Sequence, residues 1–407
     1  MLQKIASEGY LRQAWDNLEK RPYSYGLDDI TIAHFRKNLD NYISETSKLL
    51  KAGTYKFSPL RLYLKAKGDG DYRPIKIPTV RDRVVQRALV NCISPILDKK
   101  YTLTNTTSYA YIKDRNIKAA AEKFLEWYGK GYKYACKADI IKFFDNIDRK
   151  LLLEKISSAL PADNGIMTLI EEAVANDIAN SEYAYYQERT GKAYVPNTIT
   201  GIAQGSPLSP LLANVYLSGF DKDMFKAGYK MVRYADDFVI LTKTKQEAKD
   251  AYYVARKLLK KLKLELYDLK DDIPQELWQQ DAKYSLARSC QHLEFLGLKF
   301  ASGKVYPAGS AYKTIMKNVR GVAGSNSIGL TKKLDGISSR IQGWCNSYSF
   351  TTLEHKPITD LDEKLETVLA KMLKRHGLKK TNNTPLHRIL GIESFQQTTD
   401  RIRAKQE

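Results

Sequence analysis

The hydrophobic pattern changes period several times along the chain, and each change marks an element. Ile32, Phe35, Leu39, Ile43 and Leu49-Leu50 recur at helical spacing with basic residues between them, so residues 1–60 read as a helical N-terminal extension. At Leu60-Arg61-Leu62-Tyr63-Leu64-Lys65 the period drops to two. Residues 67–71 are turn formers and 72–78 are extended again, which predicts a hairpin carrying Lys65, Lys67 and Arg73. Residues 79–99 return to helical spacing, with an apolar face through Val84, Ala88, Leu89, Ile93 and Ile96-Leu97. Arg81, Arg83 and Arg87 lie elsewhere on the turn, where they can meet a phosphate backbone or form a solvated face.

Residues 132–138 alternate like a strand that ends at Asp139. The helix expected over 151–160 has Asp148 as its cap and Pro161 as its stop, and Asp145 is assigned to local structure. Residues 180–200 are polar and tyrosine-rich, the pattern of a loop or small hairpin. Ser209 as N-cap and Pro210 at the first helical position then open a helix running to about Ala227, which Gly228 can end. Residues 231–241 place apolar β-formers on both sides of Asp236-Asp237 and read as two strands joined by a tight turn. A basic amphipathic helix over 246–266 is followed by Leu266-Tyr267-Asp268-Leu269-Lys270 and by a strand over 293–300 that Gly297 interrupts. Beyond Pro307 the chain is basic and largely helical, with breaks at 324–329, at Lys356-Pro357 and at 381–385.

Two adjacent carboxylates at a turn repel each other. The repulsion is relieved if a divalent cation sits between them and a substrate phosphate, and the bland alternative is an Asp-rich turn. Asp139, an acid at the end of a strand, is a third member. A strand-helix-strand-strand order is that of a ferredoxin-like sheet, which lays the two acid-bearing strands side by side. Two metals held there can activate a 3′-hydroxyl and stabilise a leaving pyrophosphate. Arg73, with Lys65 or Lys67, suits an incoming triphosphate beneath a flexible basic hairpin. The glycine-flanked Gln204 suits a place where backbone closely approaches a base pair.

Composition agrees with a polyanionic partner: 66 Lys+Arg against 46 Asp+Glu leave a formal charge of +20. No apolar run approaches the roughly 20 residues of a spanning helix, and residues 1–11 lack the apolar core of a signal peptide, so a cytoplasmic location is expected. Cys92, Cys136, Cys290 and Cys345 are widely spaced and read as buried thiols in a reducing compartment.

The motifs, taken in order, resemble the bacterial reverse transcriptases of the group II intron type. RPIKIPTVRDRVVQR at 73–87 is similar to that family's second conserved block, KADIIKFFDNID at 137–148 to its motif A, and GIAQGSPLSPLLANVYL at 201–217 to motif B. YADD at 234–237 is similar to motif C, FLG at 295–297 to the primer grip, and RIQGWCNSYSF at 340–350 to the start of the thumb. The resemblance implies an α+β right-hand polymerase: a helical extension over 1–60, fingers and a ferredoxin-like palm over 61–305, and a helical thumb or maturase-like region over 306–407. It implies Asp139, Asp236 and Asp237 as catalytic carboxylates, with Ile140 among the ligands of two Mg²⁺ ions for which Mn²⁺ can substitute. Phe144, beside Phe143, matches the gate against a ribose 2′-hydroxyl. Lys65, Lys67, Arg73, Gln204, Gly205 and Lys270 match nucleotide-binding positions, and Phe295, Leu296 and Gly297 the primer grip. Arg81, Arg83 and Arg87 remain as nucleic-acid contacts.

Departures from the family pattern are Ala203 where Pro usually precedes Gln, Tyr109-Ala110-Tyr111-Ile112-Lys113 in place of a Gly-Phe-Arg run, and Asp271 where Thr usually follows the motif D lysine. No Cys/His nuclease module follows the thumb, and the Val-Thr-Gly signature of retron enzymes is not found near Phe295. The implied activity is RNA-directed DNA synthesis with a structured noncoding RNA as template, a DNA or RNA primer, deoxynucleoside triphosphates, and a partner protein or second copy, in antiviral defence. An RNA-binding maturase or folding factor of a mobile element is the alternative. An RNA-templated RNA polymerase is disfavoured by Phe144.

Overall fold

Capping side chains mark where several of the helices begin in the computed structural model, which describes residues 1–18, 21–67, 70–162, 164–270, 285–378 and 384–405. The N-terminal extension holds α1 (Leu2–Ile5), α2 (Glu8–Asp16), α3 (Ile32–Lys37) and α4 (Leu39–Lys51), with Ser7 and Thr31 accepting backbone N–H bonds at the starts of α2 and α3. The expected hairpin follows as β1 (Arg61–Ala66) and β2 (Tyr72–Ile77), antiparallel, with Lys65 opposite Arg73. Of its turn, residues 68 and 69 lie outside the described residues.

Helix α5 (Val80–Tyr101) is joined to the extension by one buried carboxylate. Asp82 accepts from Tyr55 Oη at 2.5 Å, from Thr79 Oγ1 at 2.7 Å and from the Ser58 N–H at 3.2 Å. Burial raises its pKa in spite of those bonds.

The central sheet is built from β3 (Tyr134–Asp139), β4 (Lys230–Tyr234), β5 (Asp237–Thr242), β6 (Leu269–Lys270) and β7 (Ser285–Ser289). Its order is β4-β5-β3-β7-β6, with every pairing antiparallel except β6 to β7. The first four of these strands follow the ferredoxin-like order. The strands read as continuous apolar runs because both faces are covered. On one side Cys136, Ala138, Phe238 and Ile240 join the main core, and on the other Ala135, Val239 and Leu241 join a second core.

Between β3 and β4 come α6's successors: α6 itself (Ile117–Gly129) precedes β3, then α7 (Phe143–Asn146), α8 (Arg149–Ala159), α9 (Asn164–Ala175), α10 (Glu182–Thr190) and α11 (Ser209–Lys226). Asp148 caps α8 as expected, accepting from the Leu151 N–H at 2.8 Å. Two expectations fail here. Residues 182–190 form a helix, because Tyr183 and Tyr186, one turn apart, pack with Tyr194 against Leu60, Leu62 and Leu64. Ser209 is the first residue of α11, not its cap; its hydroxyl donates to the Ala203 carbonyl at 2.7 Å. Gly228, at φ +85°, does follow the end of that helix.

Helix α12 (Lys245–Lys261) stops short of 266, with Lys263 at φ +54° in the turn out. The strand expected over 293–300 is instead a tight hairpin, β8 (Leu293–Phe295) and β9 (Leu298–Ala301), turning at Leu296 (φ +56°) and Gly297 (φ +72°). Two consecutive left-handed residues reverse the chain where a single glycine kink would only bend it. β10 (Lys304–Pro307) completes this small sheet. The C-terminal helices α13 (Gly309–Gly324), α14 (Leu330–Tyr348), α15 (His355–Arg375), α16 (Leu386–Ile389) and α17 (Phe395–Arg403) enclose a core of their own around Ile337, Leu365 and Phe395. Pro357 does not break a helix; it sits in the first turn of α15, where its missing N–H costs nothing. Of the break expected at 381–385, residues 381–383 lie outside the described residues. Cys136, Cys290 and Cys345 are buried thiols, whereas Cys92 is only partly buried.

Asp82→Ala leaves two hydroxyls and one backbone N–H without their acceptor and is expected to destabilise the fold by on the order of 3 kcal/mol in a urea melt. Asp82→Asn, which keeps acceptors for some of them, should lose less.

Candidate active site

A cleft of about 920 Å³ opens at the end of β3, and its walls come from distant parts of the chain. Asp139, Ile140 and Asp236 stand on one side, Lys67 and Arg73 of the β1–β2 hairpin on another, and Gln204-Gly205 with Phe144 beside them. Arg83 and Arg87 of α5 also line it, with Arg21 and Ser24 of the extension.

The acids converge through strand register. Asp139 pairs directly with Asp237 across β3 and β5, and Asp236 is the neighbouring residue in the turn. Asp236, in the turn, lines the cleft, while Asp237, the first residue of β5, sits deeper beside Asp139. Burial, followed by the charge of Asp236, pushes the Asp139 carboxyl up to about 6. Burial, with Asp139 and Asp236 adding to it and Lys137 opposing, pushes Asp237 up to about 7. Burial also raises Asp236. One oxygen of Asp237 is buried without a hydrogen-bond partner.

Among the described residues no three His, Cys, Asp or Glu side chains close into a ready-made metal cage. Mg²⁺ is commonly held by one or two carboxylates with substrate phosphates and water completing its shell. Crowded acids with raised pKa values and an orphaned carboxylate oxygen fit a divalent cation. Ile140 is 1% exposed, so only its backbone carbonyl has the chemistry of a ligand.

The remaining expected residues divide. Arg73 and Lys67 line the cleft, while Lys65, opposite Arg73 in register, is exposed outside it. Phe144 is half-buried in the cleft wall; Phe143 packs edge-on to it at 5.3 Å and is a core residue. Gly205 has φ +121°, and a Cβ there would lie 2.7 Å from the Lys76 carbonyl oxygen. Its close approach is therefore to the chain's own hairpin, to which the turn is bonded by Lys76 N–H to Gln204 O at 2.8 Å. Lys76 Nζ is also tied to Asp177 at 2.5 Å, so the base of the hairpin is fixed.

Arg83 donates to Pro78 O and Ser24 Oγ, both at 2.9 Å, but its Nη2 and the Arg87 Nε are buried without partners. Burial, with Arg61 nearby, lowers Arg83 to about 10. Arg81 is elsewhere, bonded to Glu45 at 2.6 Å over the Tyr42 ring. Lys270 is exposed on the edge strand β6 and does not line the cleft, and Asp271 lies outside the described residues. Phe295 is buried core; Leu296-Gly297 form the β8–β9 turn, away from the cleft wall, with the Gly297 carbonyl accepting from Ala308 N at 2.9 Å.

Sequence reasoning missed several residues. Asp145 lines the cleft instead of serving only local structure. Arg233 is 1% exposed and makes a two-pronged pair with Asp221 of α11, Nε to Oδ1 at 2.7 Å and Nη2 to Oδ2 at 2.5 Å. Its Nη1 donates to the Ala235 carbonyl at 2.9 Å and to Asn214 Oδ1 at 3.3 Å. Ala235 has φ +60°, so the guanidinium holds the strained residue just before the two acids. The available signal was a charged residue inside an apolar strand, with an acid inside an apolar helix. Tyr111 also reaches the cleft, from a loop whose departure from a family pattern was its only mark.

A family model described as reverse transcriptase (RNA-dependent DNA polymerase) matches residues 65–300. Among curated relatives, the putative COX1/OXI3 intron 1 protein of Saccharomyces cerevisiae is 27% identical over 180 residues, 44% of this chain and 20% of that protein. Protein YkfC of Escherichia coli is 25% identical over 63% of this chain and 73% of its own length. The group II intron-encoded protein LtrA of Lactococcus lactis is 28% identical over 54% of this chain and 34% of its own. The chain thus spans about a fifth of the first relative and about a third of the last.

Arg233→Leu strands the Asp221 carboxylate in the interior and should cost about 3–5 kcal/mol in a denaturant melt. Joint replacement of Arg233 and Asp221 by leucines should recover much of that stability.

Proposed function

The chain belongs to the reverse transcriptase family, and from that membership we propose that it is an RNA-directed DNA polymerase using Mg²⁺. The observation that carries the reading is the pairing of Asp139 with Asp237 beside Asp236, at a cleft that Arg73 and Lys67 also line. Acids and cations lining one cleft are complementary to a metal-bound triphosphate.

Asp139, Asp236 and Asp237, with the carbonyl of Ile140, would hold two divalent cations, for which Mn²⁺ can substitute. When bound, these supply charge neutralisation for the pyrophosphate and a lowered pKa for the primer 3′-hydroxyl. The chain's own groups do the positioning. Arg73 offers its planar fork to the phosphate oxygens, with Lys67 beside it. Phe144 bounds the sugar and leaves no room for a 2′-hydroxyl, which selects deoxynucleotides. Gln204-Gly205 flank the nascent pair, and Arg83 and Arg87, which line the cleft, meet the nucleic-acid backbone. Within this reading, residues 61–305 serve as fingers and palm, and the helices beyond as thumb, with the β8–β9 turn gripping the primer.

The template in this proposal is a dedicated structured RNA, and the biological role is antiviral defence. The support is the set of altered motifs, Ala203 and residues 109–113. Partner proteins or a second copy remain part of the proposal. No helix among the described residues is long and apolar enough to cross a membrane. One observation favours a second reading, an RNA-binding maturase or folding factor: Lys313, Lys317 and Arg320 project from one exposed face of α13.

On a primed RNA template with Mg²⁺, Asp236→Ala with Asp237→Ala should reduce synthesis by at least about a thousandfold. Undiminished synthesis refutes the assigned site, and a biological effect that survives the double substitution favours the maturase reading. Phe144→Ala should raise ribonucleotide use relative to deoxynucleotide use by about tenfold or more, read as the ratio of kcat/KM values.

A further inference from the structure

Tyr109 and Tyr111 are near neighbours with opposite fates. Tyr109 is 7% exposed and its ring is covered by the Arg115 guanidinium at 5.2 Å, while Tyr111 is 52% exposed and stands in the wall of the cleft. Tyr111 also holds φ +61°, a conformation that costs a side-chain-bearing residue energy and that glycine adopts freely. A strained aromatic facing a polar cleft points to use of its side chain, since neither backbone preference nor core packing asks for it.

The loop that presents Tyr111 is clamped on every side. Arg233 N–H donates to Thr107 O at 2.8 Å and Tyr109 N–H returns to Arg233 O at 2.9 Å, so the loop extends the pairing of β4. Asn214 Nδ2 holds the Ala110 carbonyl at 2.9 Å. Arg115 Nη1 donates to Ser108 O at 2.5 Å and to the carbonyl of Asn105. The same Arg233 and Asn214 fix the turn that carries Asp236, so Tyr111 and the acids ride on one frame.

The chemistry around Tyr111 names its ligand. Tyr111 lines the same cleft as Asp236 and Arg73, and burial, with the charge of Asp236 adding to it and Arg73 opposing, holds the phenol in its neutral form. A neutral phenol in that position is a hydrogen-bond donor beside the path that phosphate oxygens take from one side of the cleft to the other.

We propose that Tyr111 is a positioning residue for the incoming nucleotide, donating its hydroxyl to the triphosphate between Asp236 and Arg73. This rests on the polymerase reading above. Because the contact is to phosphate, it serves all four nucleotides alike. Because it is made on binding, it acts on KM more than on kcat.

The test is steady-state incorporation by the full chain on a primed RNA template with Mg²⁺. Tyr111→Phe should raise KM for each of the four deoxynucleotides about tenfold, with kcat changed by less than about twofold and affinity for the primed template unaltered. Tyr111→Gly, which relieves the backbone, should show the same rise in KM with a melting temperature no lower than that of the parent. A wild-type KM in Tyr111→Phe overturns the proposal, as does a rise confined to one base or accompanied by weaker template binding. A parent chain that incorporates no nucleotide of any kind overturns the polymerase reading, and this inference with it.

Discussion

A guanidinium and a carboxylate buried together, Arg233 and Asp221, hold the site in register. An ion pair taken out of water returns little net stability, because desolvation offsets most of the attraction, but leaving either member alone is costly. Such a pair therefore selects one arrangement more than it strengthens it. Here the arrangement chosen joins α11, β4, the 105–115 loop and the carbonyl of Ala235. With that carbonyl fixed, the two acids after it are set in place, Asp236 in the turn at the cleft and Asp237 at the start of β5 opposite Asp139.

The sheet that bears these acids also explains why the fold was largely legible in the sequence. The apolar runs around Asp139 and Asp236-Asp237 could be read as strands because a sheet covered on both faces wants β-formers at every position. Their adjacency followed from element order. The hairpin, α5 and the capping by Asp148 followed from period and turn chemistry.

What escaped was decided by partners far away in sequence. Helix α10 exists because Tyr183 and Tyr186 meet the apolar face of β1, so its local polarity misled. The β8–β9 turn depends on Leu296 accepting a left-handed conformation, which a leucine does not advertise. Arg81, Arg83 and Arg87 look equivalent on paper, yet Glu45 draws the first away from the cleft while burial leaves the other two with unpaired nitrogens. Within the site, the three acids, Arg73, Phe144 and the glutamine turn were visible as motifs. Tyr111 and Arg233 were not: the sequence marks the first only by its loop's departure from a family pattern and the second only as a charge inside an apolar strand, and their roles come from a left-handed backbone angle and a contact with another helix.

The seam between Gly205 and Lys76 has a mechanical consequence. A hairpin stitched to its neighbour near its root, with a lysine bolted to Asp177 at the same level, cannot swing as a rigid flap. Beyond that seam the strands stay paired to each other, Lys65 opposite Arg73 and the Lys67 N–H on the Asp71 carbonyl at 2.8 Å, so displacing the cation-bearing end would bend the hairpin instead of rotating it whole. The fulcrum is thus part of the groove itself, and the reach of the two cations is set by the few residues beyond it.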